Sequence, residues 1–219
     1  QWGIHDVRVP LATLVPYIDW TPFFITWGFR DVFPRLLENP SYGESAKELW
    51  QNAQTLLQEI TQNAQYQAQG VYGLFPAQAQ DDDILVYDGQ HPSKVVERLC
   101  MLRQQRDRSR EEEPNMSLAD FIAPQESGYL DTVGAFAVTA GEGLEALAKH
   151  FEDDDDENQV IMVKALADRF AEAFAEYLHA QVRITWGYEK EDQYSNEELI
   201  QERYRGIRPA PGYPSCPDH

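Results

Sequence analysis

The stretch GIRPAPGYPSCPDH (206–219) packs four of the chain's 13 prolines into its last residues. Proline has no backbone N–H and fixes φ, so this stretch can be neither helix nor central strand. The residue before each proline is pushed to an extended conformation. The segment must run as a stiff, extended or turning chain whose carbonyls find partners outside regular ladders. It carries one arginine, Arg208, between Ile207 and Pro209. A guanidinium is a fixed fork for carboxylate or phosphate, and on a stiff backbone it loses little entropy on binding. An ordinary surface ion pair is the competing reading.

Upstream, periodicity divides the chain. Residues 10–40 are rich in proline and aromatics and predict short, buried, irregular elements. Leu49, Ala53, Leu56, Leu57 and Ile60 repeat at helical spacing, so an amphipathic helix is expected from about Ser45. GVYGLFPA (70–77) and DILVYDG (83–89) read as strands joined by an acidic, Gln-rich turn. Residues 94–105 read as a helix, 106–115 as a loop, 129–141 as a segment ending in a strand, and 142–151 as a short helix. The longest helix covers 160–184. A last helix starts at Ser195, where Glu198 completes a capping box, and ends at Gly206. Strands and helices do not alternate, which predicts one α+β domain with a small, largely antiparallel sheet rather than a doubly wound parallel one.

Charge narrows the function. Asp plus Glu is 37 against 18 Lys plus Arg, a net charge of −19. That argues against nucleic acid and anionic membrane surfaces as partners, and suits a cationic ligand or a basic partner. Solubility alone is the plainer account, with the acidic runs 81–83 and 152–157 as solvated loops. No apolar run approaches the length of a membrane span. Two cysteines, Cys100 and Cys216, suit a reducing cytoplasm. The chain opens with Gln1, from which we expect a piece of something longer.

Several motifs compete for chemistry. Gly141, Gly143 and Ala146 match the dinucleotide fingerprint G-x-G-x-x-A, but no second strand follows, so a tight strand-to-helix turn is expected. The five histidines lack metal-ligand spacing, and neither cysteine sits in a C-x-x-C. On the long helix Lys164, Asp168, Glu172 and Glu176 recur every four residues, either as a solvated stripe or as a row of carboxylates that meets a cation. Asp19 stands in PYIDWTPFF among apolar and aromatic neighbours. It either caps a turn with Thr21 or sits beside a ligand in an aromatic pocket.

In order along the chain, PYIDWTPFF, GVYGLFPA, LADFIAP, GAFAVTAG, IMVKALADRFAEAFAEYLH, WGY, SNEELI and GIRPAPGYPSCPDH resemble the activation domain of cobalamin-dependent methionine synthase. The resemblance runs from about residue 10 to residue 219 and implies a single C-shaped α+β domain, 1–219, with a twisted antiparallel sheet and peripheral helices. It implies that the chain binds S-adenosylmethionine and presents its methyl group for reductive remethylation of cob(II)alamin. The parent enzyme makes methionine from homocysteine and methyltetrahydrofolate. The cobalamin is held by another module of the same polypeptide, and zinc belongs to the homocysteine module, not to this chain. Flavodoxin or an equivalent reductase is the implied electron donor.

The same resemblance implies the site residues. Arg208 matches the arginine that takes the ligand carboxylate, and Asp19 the aspartate that takes its ammonium. Glu172 and Glu202 match acids near the ligand, with Glu202 on the last turns of the capped helix. Backbone at Ala210 would receive the adenine, its carbonyl and N–H left free by flanking prolines. Tyr213 would line the pocket toward cobalamin. No catalytic residue or metal ligand of its own is implied, and no turnover by this chain alone. Family members continue past CPDH, so roughly the N-terminal two-thirds of the family's domain is expected here, with reduced affinity. An interaction module that docks on the cobalamin module or flavodoxin without binding the ligand stays open. So does a free-standing methyltransferase, which the missing glycine-rich βαβ unit opposes.

Overall fold

The computed structural model describes residues 2–107 and 114–218. In chain order its elements are β1 (Gly3–Pro10), α1 (Leu11–Leu14), a 3-10 turn (Val15–Tyr17), α2 (Thr21–Thr26), a 3-10 turn (Arg35–Glu38), α3 (Gly43–Gln62), β2 (Gln67–Gln80), β3 (Asp83–Tyr87), β4 (Val95–Cys100), 3-10 turns at Leu118–Phe121 and Gln125–Ser127, β5 (Asp131–Glu142), α4 (Leu144–Asp153), α5 (Glu157–Trp186) and α6 (Asn196–Ile200). The fold is α+β. Five strands form one sheet in the order β1-β2-β3-β4, with β5 also paired to β2. The β2–β3 and β3–β4 pairs are antiparallel. The expected helix at 94–105 is β4 instead. Val95-Val96-Glu97-Arg98-Leu99 fits either period, and pairing with β3 decides it: Ile84 faces Leu99 and Leu85 faces Arg98. Part of the expected loop at 106–115 lies outside the described residues.

The chain divides into two compact units. The first comprises 1–6, 71–137 and 206–219. Its core is Ala77, Ala79, Ile84, Val86 and Ala119, with Phe75, Leu99 and Val133 packed against them. Arg103 ties its loops together, donating to Asp82 at 2.6 Å, to Asp120 at 2.6 and 2.7 Å, and to the Asn115 carbonyl at 2.7 Å. Cys100 and Cys216 are both free.

The second unit, 7–70 and 138–205, is mainly helical. The helices α1, α2, α3, α4 and α6 all pack on α5. Phe23, Phe24, Phe170 and Phe174 are fully buried. Trp50 meets Trp20 edge-on at 4.6 Å and Phe33 at 4.7 Å. No helix among the described residues is long and apolar enough to cross a membrane. The G-x-G-x-x-A stretch is the turn between β5 and α4. Gly143 has φ +85°, and a Cβ there would lie 2.6 Å from the Tyr66 ring. That glycine is required by backbone and packing, with no phosphate needed to explain it.

Candidate ligand-binding site

Asp19 sits where two prolines fix the chain. Pro16 lies in the 3-10 turn Val15–Tyr17, and Pro22 in the first turn of α2. Between them Ile18 is extended and buried. Asp19 Oδ1 accepts from the Thr21 N–H at 2.9 Å and so forms an Asx turn leading into α2, whose N-cap is Trp20. That is the only side-chain hydrogen bond of Asp19 among the described residues, which leaves Oδ2 able to take a cation. The turn contact and ligand binding are therefore compatible at this position.

The Val15–Tyr17 turn packs on α5 and α6. Tyr17 meets Tyr177 edge-on at 5.4 Å. Burial first, then the negative charge of Tyr177, Glu176, Glu189 and Asp192, pushes the Tyr17 hydroxyl above the usual phenol range. On α5, Lys164, Asp168 and Glu172 are exposed, but Glu176 is only 4% exposed. A four-residue step overshoots the helical period by about 40°, so three steps turn the row about 120° into the core. The expected single face thus holds for three of its four members. Lys164 and Asp168 line a cavity of about 480 Å³ between α4 and α5, with Thr139, Gly141 and Leu144; neither Asp19 nor Glu172 lines it.

Glu202 lies outside its expected helix. α6 stops at Ile200, with its Ser195–Glu198 capping box formed at 2.9 and 3.3 Å. The helix closes because the Glu202 N–H donates to the Leu199 carbonyl at 2.9 Å and Glu202 turns left-handed, φ 54°. That is a glycine position occupied by an acid. The Glu202 side chain is exposed.

The segment that follows is fixed by a group the sequence reading missed. Arg183 in the last turn of α5 is buried. Its Nε donates to Glu189 Oε2 at 2.7 Å, a second guanidinium nitrogen lies 2.7 Å from His179 Nδ1, and the guanidinium covers the Tyr204 ring at 3.6 Å. The His179 Nδ1 that faces a guanidinium must be its unprotonated nitrogen. An arginine followed by a loop acid is too common a pattern to have flagged this pair.

Arg208 is half-buried and Ala210 exposed, on a stretch without regular structure. The chain then folds on itself. Tyr213 N–H donates to the Ala210 carbonyl at 3.0 Å, Gly212 N–H to the Cys216 carbonyl at 2.8 Å, and Cys216 N–H to the Tyr213 carbonyl at 2.9 Å. Ala210's carbonyl is thus already engaged once, not idle as expected. Tyr213 remains 50% exposed. Asp19, Glu172 and Glu202 belong to the second unit; Arg208, Ala210 and Tyr213 belong to the first.

Residues 10–219 match the family described as vitamin B12 dependent methionine synthase, activation domain. A solved structure described as the MetH reactivation domain bound to AdoHcy is similar to the chain, with a TM-score of 0.91 and 48% identity. The alignment covers 99% of this chain and 66% of that one, so the chain spans 66% of the length of that relative.

Proposed function

Because the chain belongs to the family of vitamin B12 dependent methionine synthase activation domains, we propose that it binds S-adenosylmethionine and holds the ligand's methyl group for transfer to a cobalamin carried by another module of the same polypeptide. When bound, the ligand supplies an electrophilic methyl on a sulfonium. This chain's task is binding and orientation. The Arg208 guanidinium takes the carboxylate as a bidentate pair. Asp19 takes the ammonium with Oδ2, the oxygen that does not accept from Thr21. Glu172 and Glu202 favour the cationic ligand electrostatically. Backbone at Ala210 contacts the adenine, and Tyr213 offers an exposed ring on the cobalamin side. In this reading residues 1–219 act as one domain, in a cytoplasmic enzyme reduced by flavodoxin or an equivalent reductase.

The observation that carries the proposal is the 48% identity to a ligand-bound relative across 99% of the chain. Calorimetric titration with S-adenosylmethionine tests it. Arg208→Ala and Asp19→Asn should each weaken binding by about 1.5–3 kcal/mol, roughly ten- to a hundredfold. Binding undiminished by both substitutions refutes the residue assignment. No binding by the parent chain favours the second reading, a module that docks on the cobalamin module or the reductase without the ligand.

A further inference from the structure

The small core that receives Tyr204 also receives Tyr17. Ala180, Leu199 and Tyr204 are its buried members, and Tyr17 and Tyr194 pack against them. Two of the acids proposed at the ligand are joined to this cluster by short stretches of chain. Asp19 follows Tyr17 by two residues, past the buried Ile18. Glu202 precedes Tyr204 by two, on a turn closed by the Glu202 N–H on the Leu199 carbonyl at 2.9 Å and the Arg203 N–H on the Glu198 carbonyl at 3.0 Å. All of these residues belong to the second unit. The Arg183 guanidinium covers the Tyr204 ring at 3.6 Å, and the His179 ring meets the same ring edge-on at 5.1 Å.

Stability does not account for this arginine. Apolar side chains of similar volume often serve a fold as well as a buried ion pair, or better. Nη2 of Arg183 also makes no hydrogen bond among the described residues, and a buried donor left unpaired costs stability. What the group supplies is one geometry. Nε on Glu189 and Nη1 on His179 fix the guanidinium plane, and a cation over a ring face holds that ring in place. We propose that Arg183 is a positioning residue for S-adenosylmethionine: buried and out of contact with the ligand, it holds Tyr204 and so sets where Glu202 stands relative to Asp19. The inference rests on the reading of this chain as an S-adenosylmethionine-binding domain.

The test separates positioning from stability. Calorimetric titration with S-adenosylmethionine and urea unfolding are run on the 219-residue chain and on Arg183→Met combined with Glu189→Leu, in which the buried charges are gone. The urea midpoint should stay near the parent's, while affinity falls about tenfold, the low end of what loss of a charge-assisted contact costs. Affinity that stays with the midpoint at the parent's value overturns the proposal and leaves Arg183 a structural residue. If the double variant misfolds, Tyr204 decides. Tyr204→Leu removes the ring under the guanidinium and should weaken binding about tenfold, whereas Tyr204→Phe keeps the ring and should bind as the parent does; equal affinity in these two overturns the proposal. Coupling then tests the route. In a Glu202→Gln background the Arg183 and Glu189 substitutions should add less than about twofold, and full additivity there overturns the route through Glu202. A parent chain that does not bind, or one whose binding ignores both Arg208→Ala and Asp19→Asn, refutes the binding reading and this inference with it. Binding that is sensitive to those two changes but not to the Arg183 and Tyr204 variants refutes this inference alone.

Discussion

Glu189→Gln should be among the most damaging single changes outside the apolar core. The Arg183 and Glu189 side chains are 4% and 5% exposed, and their contact is 2.7 Å. The substitution keeps the shape but strands a buried guanidinium whose remaining contacts, His179 Nδ1 and the Tyr204 ring, cannot neutralise it. Removing one partner of a buried pair costs about 3–5 kcal/mol. For a chain of this size that is a fall of about 6–20 °C in Tm. It is also a large part of a typical total stability of about 5–15 kcal/mol. Replacing both, as Arg183→Met with Glu189→Leu, removes the buried charge itself and should recover most of the loss. The assay is urea unfolding of the parent, the single and the double variant, with hydrogen exchange across 183–204 to locate the damage. A single-variant loss below about 1 kcal/mol, or a double variant as unstable as the single, refutes the reasoning.

Other consequences are as direct. Glu202→Gly should stabilise the chain by about 1 kcal/mol, because it relieves a left-handed non-glycine residue, and still weaken S-adenosylmethionine binding; denaturant midpoints and calorimetry separate the two effects. Ser195→Ala removes the cap that accepts from Glu198 N–H at 3.3 Å and should cost about 1 kcal/mol in the same unfolding assay. Arg103 beside Asp120 holds that carboxyl below the usual carboxylate range. The folded form therefore binds fewer protons than the unfolded chain, and the resulting stability is present above about pH 4 and lost as pH falls through the depressed value. Asp120→Asn should lower the urea midpoint at pH 7, with the gap to the parent closing in acid.

What could be read from sequence depended on whether local chemistry alone decided the structure. The α5 periodicity, the Ser195–Glu198 box and the glycine turn at 141–143 are local, and each appears near its expected place. β1 was missed because its outward face carries Ile4, 72% exposed, while His5, Val7 and Val9 point inward, so its alternation is not apolar against polar. β4 was mistaken for a helix because its identity comes from pairing with β3, residues away in sequence. At the candidate site, local chemistry singled out Asp19 and Arg208 but left each with a competing reading, and only the family's motifs point them to the ligand. The burial of Glu176 was not, because a row of equal spacings hides a slow rotation. The left-handed Glu202 was equally hidden, since nothing about a glutamate announces a glycine position.

The two compact units are each assembled from separated stretches of chain, and the polypeptide passes between them at 6/7, 70/71, 137/138 and 205/206. Three of those passages fall inside β1, β2 and β5 rather than in loops. No single cut can release either unit, and neither can be produced as one uninterrupted fragment. During synthesis residues 206–219 emerge after the other stretches of the first unit, 1–6 and 71–137. Its closure must wait for the proline segment that carries Arg208. Arg208, proposed to grip the ligand carboxylate, thus reaches this unit after its other two stretches.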